Sequence, residues 1–117
     1  MKFKLSLKDA HASYIEEFKD KESVSSNEEV VRKFVEAALK INDDKLIFGT
    51  EREQCNGECF ASEPRFEVYI EDEQYFQLKK IYENYDFDQY DSEEEEVSKT
   101  VRCIINFFAE SPDKISI

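Results

Sequence analysis

Glycine and proline are scarce, two of each in 117 residues, and tryptophan is absent. With so little glycine no Gly-rich phosphate-binding loop can be assembled. No Ser/His/Asp set appears around the single histidine, His11, and no metal-binding helix motif, which would need a second histidine, is present. Three cysteines are an odd number, and no export signal accompanies them, so reduced thiols are expected rather than a disulfide framework. No apolar run approaches the roughly 18 residues of a membrane span, and the Met1-Lys2-Phe3 start has no signal-peptide stretch behind it. The expectation is a soluble, cytoplasmic protein with no membrane partner. Basic residues are also short, 16 against 28 acids, for a net charge of -12 and a pI near 4.5. Non-specific attraction to nucleic acid or anionic membrane is thereby disfavoured, and basic partners are favoured.

What is present is enough for one compact domain. Ten Phe and six Tyr lie among 40% hydrophobic residues, so a core can form despite 38% charge. Both glycines, Gly49 and Gly57, fall between Asp43 and Pro64. Residues 43–64 therefore read as a linker between segments 1–42 and 65–117 of a single domain, 1–117.

The two segments share a pattern. Lys2 to Lys8 alternates polar and apolar, with Phe3, Leu5 and Leu7 on one side of a strand; Arg65 to Glu71 does the same. An Asp suited to capping follows each strand (Asp9, Asp72), then apolar residues at helical spacing: Ala12, Ile15, Phe18 and Tyr75, Leu78, Ile81. These match at an offset of 63 (78 - 15 = 63). Ser26-Asn27-Glu28-Glu29 and Ser92-Glu93-Glu94-Glu95 each have the form of a capping box opening a second helix. Val30, Phe34, Ala37, Ala38, Ile41 and Val97, Val101, Ile104, Ile105, Phe108 form its apolar face, matched at an offset of 67 (97 - 30 = 67). Four extra residues in the second copy (67 - 63 = 4) fall around Asp86 to Tyr90. The expectation is an α+β fold of two strand-helix-helix repeats.

A strand of this length needs a partner for its ladder, and two copies can supply it by pairing antiparallel over four interlocked helices. The pattern resembles the ribbon-helix-helix fold of the Arc and MetJ repressor family, in which the ribbon enters the DNA major groove. Lys2–Lys8 looks like the family's strand, Asp9–Glu22 its first helix, and Ser25 to Arg32 its second-helix opening, where backbone N–H groups hold a phosphate. The resemblance implies an intramolecular pseudo-dimer, or a homodimer if two chains associate, with Lys4, Ser6 and Lys8 reading bases and Ser25, Ser26 and Asn27 at the phosphate.

Charge argues against DNA as the partner. The second copy's outward set would be Arg65, Glu67, Tyr69 and Glu71, and pairing about Ser6 and Tyr69 would set Lys4 opposite Glu71 and Lys8 opposite Glu67. Residues 1–42 hold 8 basic and 8 acidic side chains; residues 43–117 hold 8 and 20, so all the excess negative charge lies there. Glu67, Tyr69 and Glu71, with Tyr85, Asp86, Asp88, Tyr90, Asp91 and the run Glu93, Glu94, Glu95, Glu96, form an acidic-aromatic candidate surface for a partner rich in Lys and Arg. The plain alternative is a solvated loop and a dipole-stabilised helix start.

Cys55 and Cys59 in the linker would need two further ligands for zinc, and only His11 and Cys103 could offer soft ones; Cys103 reads as buried packing and His11 as surface or half-buried. No cofactor, no metal and no enzymatic activity are expected. The favoured expectation is an acidic inhibitor or adaptor binding a basic partner such as a nuclease or other nucleic-acid-binding effector. In size and charge it is similar to phage anti-CRISPR and anti-restriction DNA mimics and to immunity proteins of nuclease toxins. The alternative is a ribbon-helix-helix transcription regulator or antitoxin that binds DNA.

Overall fold

A computed structural model describes residues 1–41, 47, 64–84 and 92–111. Among them the chain is α+β: strand β1 (Lys2–Ser6), helices α1 (Asp9–Lys21) and α2 (Asn27–Ile41), strand β2 (Pro64–Tyr69), and helices α3 (Asp72–Asn84) and α4 (Glu93–Glu110). The strands pair antiparallel as a two-stranded sheet. Phe3, Leu5 and Val68 turn inward and are buried, whereas Lys2, Lys4, Glu67 and Tyr69 face outward, as the alternation requires.

The register differs from the expected one. Lys2 stands opposite Tyr69, Phe3 opposite Val68, Lys4 opposite Glu67 and Leu5 opposite Phe66. Lys4 therefore does not face Glu71, nor Lys8 Glu67. An irregularity after Leu5 sets Ser6 opposite Pro64, so the strand takes in a residue assigned above to the linker. Ser6 is buried rather than outward. Lys8 and Glu71 lie beyond the strands because the helices begin sooner than the alternation suggests.

Asp9 and Asp72 are the first residues of their helices rather than caps. Lys8 takes the N-cap place of α1, with its N–H donating to His11 Nδ1 at 3.2 Å. Glu71 does the same before α3, its N–H donating to Gln74 Oε1 at 3.1 Å. The serines fulfil their expected role: Ser26 Oγ accepts from Glu29 N–H at 3.1 Å and Ser92 Oγ from Glu95 N–H at 3.2 Å. Helix α1 ends at Lys21; two residues on, Ser23 takes a left-handed conformation with a φ of 55, and Val24 N–H bonds back to the Lys19 carbonyl at 2.9 Å.

The expected apolar faces meet in one core, together with Ile47; of the residues assigned to them, Ala12 is half-buried outside it and Ile41 packs half-buried against it. Its centre is aromatic: Phe34 lies 4.9 Å from Phe18 and 5.4 Å from Phe108 between ring centroids, and Phe3 packs edge-on against Tyr75 at 5.6 Å. Helix α4 runs through the middle, packed against β1, α1, α2 and α3. It is buried on nearly every side, so Ser98, Lys99, Thr100 and Arg102 are enclosed along with the expected Val97, Val101, Ile104, Ile105 and Phe108. Cys103 is buried, as expected.

Candidate functional site

The outer face of the ribbon is the surface to which the sequence assigns function. Lys4 and Glu67 stand at its middle. Both the N–H and the carbonyl of Lys4 are engaged on the side away from β2: Glu94 Oε2 accepts the N–H at 2.8 Å and Ser98 Oγ donates to the carbonyl at 3.3 Å. Lys4 and Glu67 are thus a non-hydrogen-bonded pair, the kind in which opposing side chains come closest. A cation and a carboxylate share the centre of the ribbon.

The free edge of β1 is closed by α4. Glu94, Ser98 and Arg102, spaced four apart, form one stripe along the helix. Glu94 and Ser98 serve Lys4 as described; Ser98 Oγ also accepts from Ser6 N–H at 3.1 Å, and Arg102 Nη1 donates to the Ser6 carbonyl at 2.7 Å. The outer edge of β2 is met similarly from α2, where Glu28 Oε2 accepts Tyr69 N–H at 3.0 Å. These contacts satisfy groups that would otherwise invite another strand. Arg102 was not singled out in the sequence; its four-residue spacing from Ser98 and Glu94 was the available signal.

The acidic run at the start of α4 divides by role. Glu93 accepts from Tyr75 Oη at 2.9 Å and lies 2.7 Å from Lys79 Nζ, tying α3 to α4. Lys79 first, then Tyr75, hold the Glu93 carboxyl below its usual range. Burial, reinforced by Glu93, pushes the Tyr75 phenol upward. Glu94 is committed to β1, and Glu95 and Glu96 are half-buried. Glu67, Tyr69 and Glu71 are exposed. Tyr85, Asp86, Asp88, Tyr90 and Asp91 lie outside the described residues, as do Cys55 and Cys59.

Of the residues assigned to DNA, Lys4 and Lys8 are exposed, Lys8 at a helix cap rather than on the ribbon. Ser25 and Ser26 are exposed, Ser26 being occupied as a cap, and Asn27 is half-buried. The carboxylates of Glu28 and Glu29 both engage Arg32, one turn into α2. His11 is buried, contrary to expectation: with Nδ1 accepting from Lys8, its Nε2 carries the proton and donates to Asn106 Oδ1 at 3.0 Å. It joins α1 to α4.

Among the described residues no group of three or more His, Cys, Asp or Glu could hold a metal ion. No helix among them is long and apolar enough to cross a membrane. Neither a family model, nor a curated protein, nor a solved structure matches the chain.

Proposed function

We propose that the chain is a non-enzymatic, acidic protein-binding module, an inhibitor or adaptor that occupies a basic site on a nucleic-acid-binding protein. The observation that carries this reading is Lys4 standing opposite Glu67 at the middle of the ribbon. A ribbon that reads DNA gains from every phosphate it neutralises and uses its outward side chains on base edges. Here a carboxylate sits beside the central lysine, Ser6 is buried, and Lys8 is off the strand. Both second helices also carry acids in their first turns, Glu28 and Glu29 in α2 and Glu93 to Glu96 in α4, where a phosphate would have to approach.

The scaffold for this function is an intramolecular ribbon-helix-helix-like pseudo-dimer. At the offset of 63, Glu67 is the counterpart of Lys4 (67 - 63 = 4), so their pairing lies where a two-fold axis would cross the ribbon. The same operation exchanges the neighbouring pairs, since Val68 answers to Leu5 (68 - 63 = 5) and Phe66 to Phe3 (66 - 63 = 3). Helix packing supports it: α2 lies on β2 and α4 on β1, so each segment's second helix covers the other's strand.

The test is capture of partners by the purified protein from its host's extract, with and without nuclease, at low and moderate salt. A basic nucleic-acid-binding protein that survives nuclease and weakens with salt is the expected result. DNA that nuclease removes, with no protein left behind, overturns the reading in favour of a DNA-binding regulator.

A further inference from the structure

His11, the single histidine of the chain, is buried near the start of α1. Both of its ring nitrogens are engaged, in opposite senses: Nδ1 accepts the Lys8 N–H at 3.2 Å and Nε2 donates to Asn106 Oδ1 at 3.0 Å. Only the neutral imidazole can do this. The protonated ring carries a hydrogen on each nitrogen and would turn a donor toward the Lys8 N–H.

The second segment builds the same corner without a titratable group. At the offset of 63 the counterpart of His11 is Gln74 (74 - 63 = 11), whose Oε1 accepts the Glu71 N–H at 3.1 Å. An amide therefore suffices for this cap, and histidine adds sensitivity to protons. On α4, Asn106 continues the stripe of Glu94, Ser98 and Arg102 at the same spacing of four. The stripe holds Lys4 and Ser6 of β1 and then His11 of α1. Of the groups in these contacts, the imidazole is the one whose charge changes near neutral pH.

The charged and titratable groups on the surrounding elements, among the described residues, do not favour an imidazolium. On α4, Arg102 and Lys99 lie one and two turns before Asn106 and are buried bases; Cys103 is buried too, and Glu110, one turn after Asn106, is exposed. On α1, Lys8 and Asp9 are exposed, and Tyr14 donates its hydroxyl to the Phe108 carbonyl at 3.1 Å. Lys2 and Lys4 face outward from β1, and α2 meets Tyr14 and Phe18 through the apolar Phe34. The carboxylates of Asp9 and Glu110 are exposed to water, which weakens their pull on a buried ring. Burial and the Lys8 N–H both oppose uptake of a proton.

We infer that His11 is a proton-sensitive latch: the neutral ring fastens the corner between β1 and α1 to α4, and in mild acid it takes up a proton only by releasing the Lys8 N–H. The stability such a group contributes is present above the ordinary histidine value of about 6.5 and is lost as pH falls below it, because the opened corner binds a proton that the closed one refuses. The inference concerns the fold itself and does not depend on the protein-binding reading.

The experiment follows amide hydrogen exchange of the isotope-labelled full chain by NMR from about pH 7.5 to about pH 5.5, each rate divided by the intrinsic rate of its residue at that pH. Glu71, capped by Gln74, is the internal control for Lys8. The Lys8 amide should lose roughly tenfold of its protection relative to Glu71 across this range, since the opened ring is protonated at the ordinary value. His11→Gln, which gives the first segment the residue of the second, should hold the ratio constant. The ring nitrogen shifts of the parent should show a neutral ring with its hydrogen on Nε2 at about pH 7.5.

A constant Lys8-to-Glu71 ratio in the parent, or a parent and a folded His11→Gln that change alike, overturns the latch. So does a ring that takes up its proton near the ordinary value with no loss of Lys8 protection, or a neutral ring with its hydrogen on Nδ1. Where circular dichroism shows His11→Gln to be unfolded, the ratio and the ring shifts of the parent decide by themselves.

Discussion

Ser98 of α4 accepts the backbone N–H of Ser6 at 3.1 Å, and the same hydroxyl donates to the neighbouring Lys4 carbonyl at 3.3 Å. One buried side chain thus serves two backbone groups on the free edge of β1, with Glu94 and Arg102 continuing the contact to either side. A two-stranded ribbon has edges on both sides, and the outer edge of β1 is closed here by a helix rather than by a third strand.

Ser98→Ala should therefore cost about 1–3 kcal/mol, because the buried Ser6 N–H and Lys4 carbonyl both lose their partner. Urea unfolding followed by circular dichroism measures this. Ser13→Ala, exposed on α1, serves as the control and should stay within about 0.5 kcal/mol of the parent.

The Glu93 contacts predict a stability that depends on acid. Its folded pKa lies below the ordinary 4.5 because Lys79 and Tyr75 hydrogen-bond the ionised carboxylate. Such a group contributes stability that is fully present above the ordinary value and is lost as pH falls through the lowered folded value. Glu93→Gln should thus be less stable than the parent at neutral pH, and the gap should close as the solution is taken well below pH 4.5. Paired urea titrations across that range check it; a gap independent of pH would mean the charge is not what matters.

Lys4 and Glu67 predict a coupling that a double-mutant cycle can isolate. Lys4→Glu sets two carboxylates opposite one another and should destabilise the ribbon, whereas Lys4→Glu with Glu67→Lys should recover most of the loss. The coupling expected for such a cross-strand pair is on the order of half a kcal/mol. Independent effects of the two substitutions would show that the side chains do not sense each other across the strands.

Most elements are readable along the chain. Alternation at Phe3 and Leu5 marks a strand, Ser26 and Ser92 mark helix starts, and the spacing of Ile15 with Phe18, or of Leu78 with Ile81, marks faces that turn out buried. These signals are local, because pleat, turn and cap depend on residues within a few positions of one another. Strand ends were less legible. Lys8 and Glu71 continue the alternation, yet each is drawn into a helix cap by a side chain three residues on, His11 and Gln74.

The register and the roles of the charged residues belong to the tertiary structure alone. Alternation fixes which side of a strand is apolar, but any slip by two residues preserves it, so it cannot choose between Glu67 and Glu71 as the partner of Lys4. Packing of α2 and α4 across the strands makes that choice. The same packing converts part of an apparent acidic surface into structural contacts: Glu93 holds α3, Glu94 closes β1, and Arg102, a charged residue in sequence, becomes a buried donor to Ser6. Composition and periodicity determined that this chain is acidic, with paired strand-and-helix segments. Which charges remain exposed was decided only when the helices crossed the strands, since a side chain's solvation depends on neighbours distant in sequence.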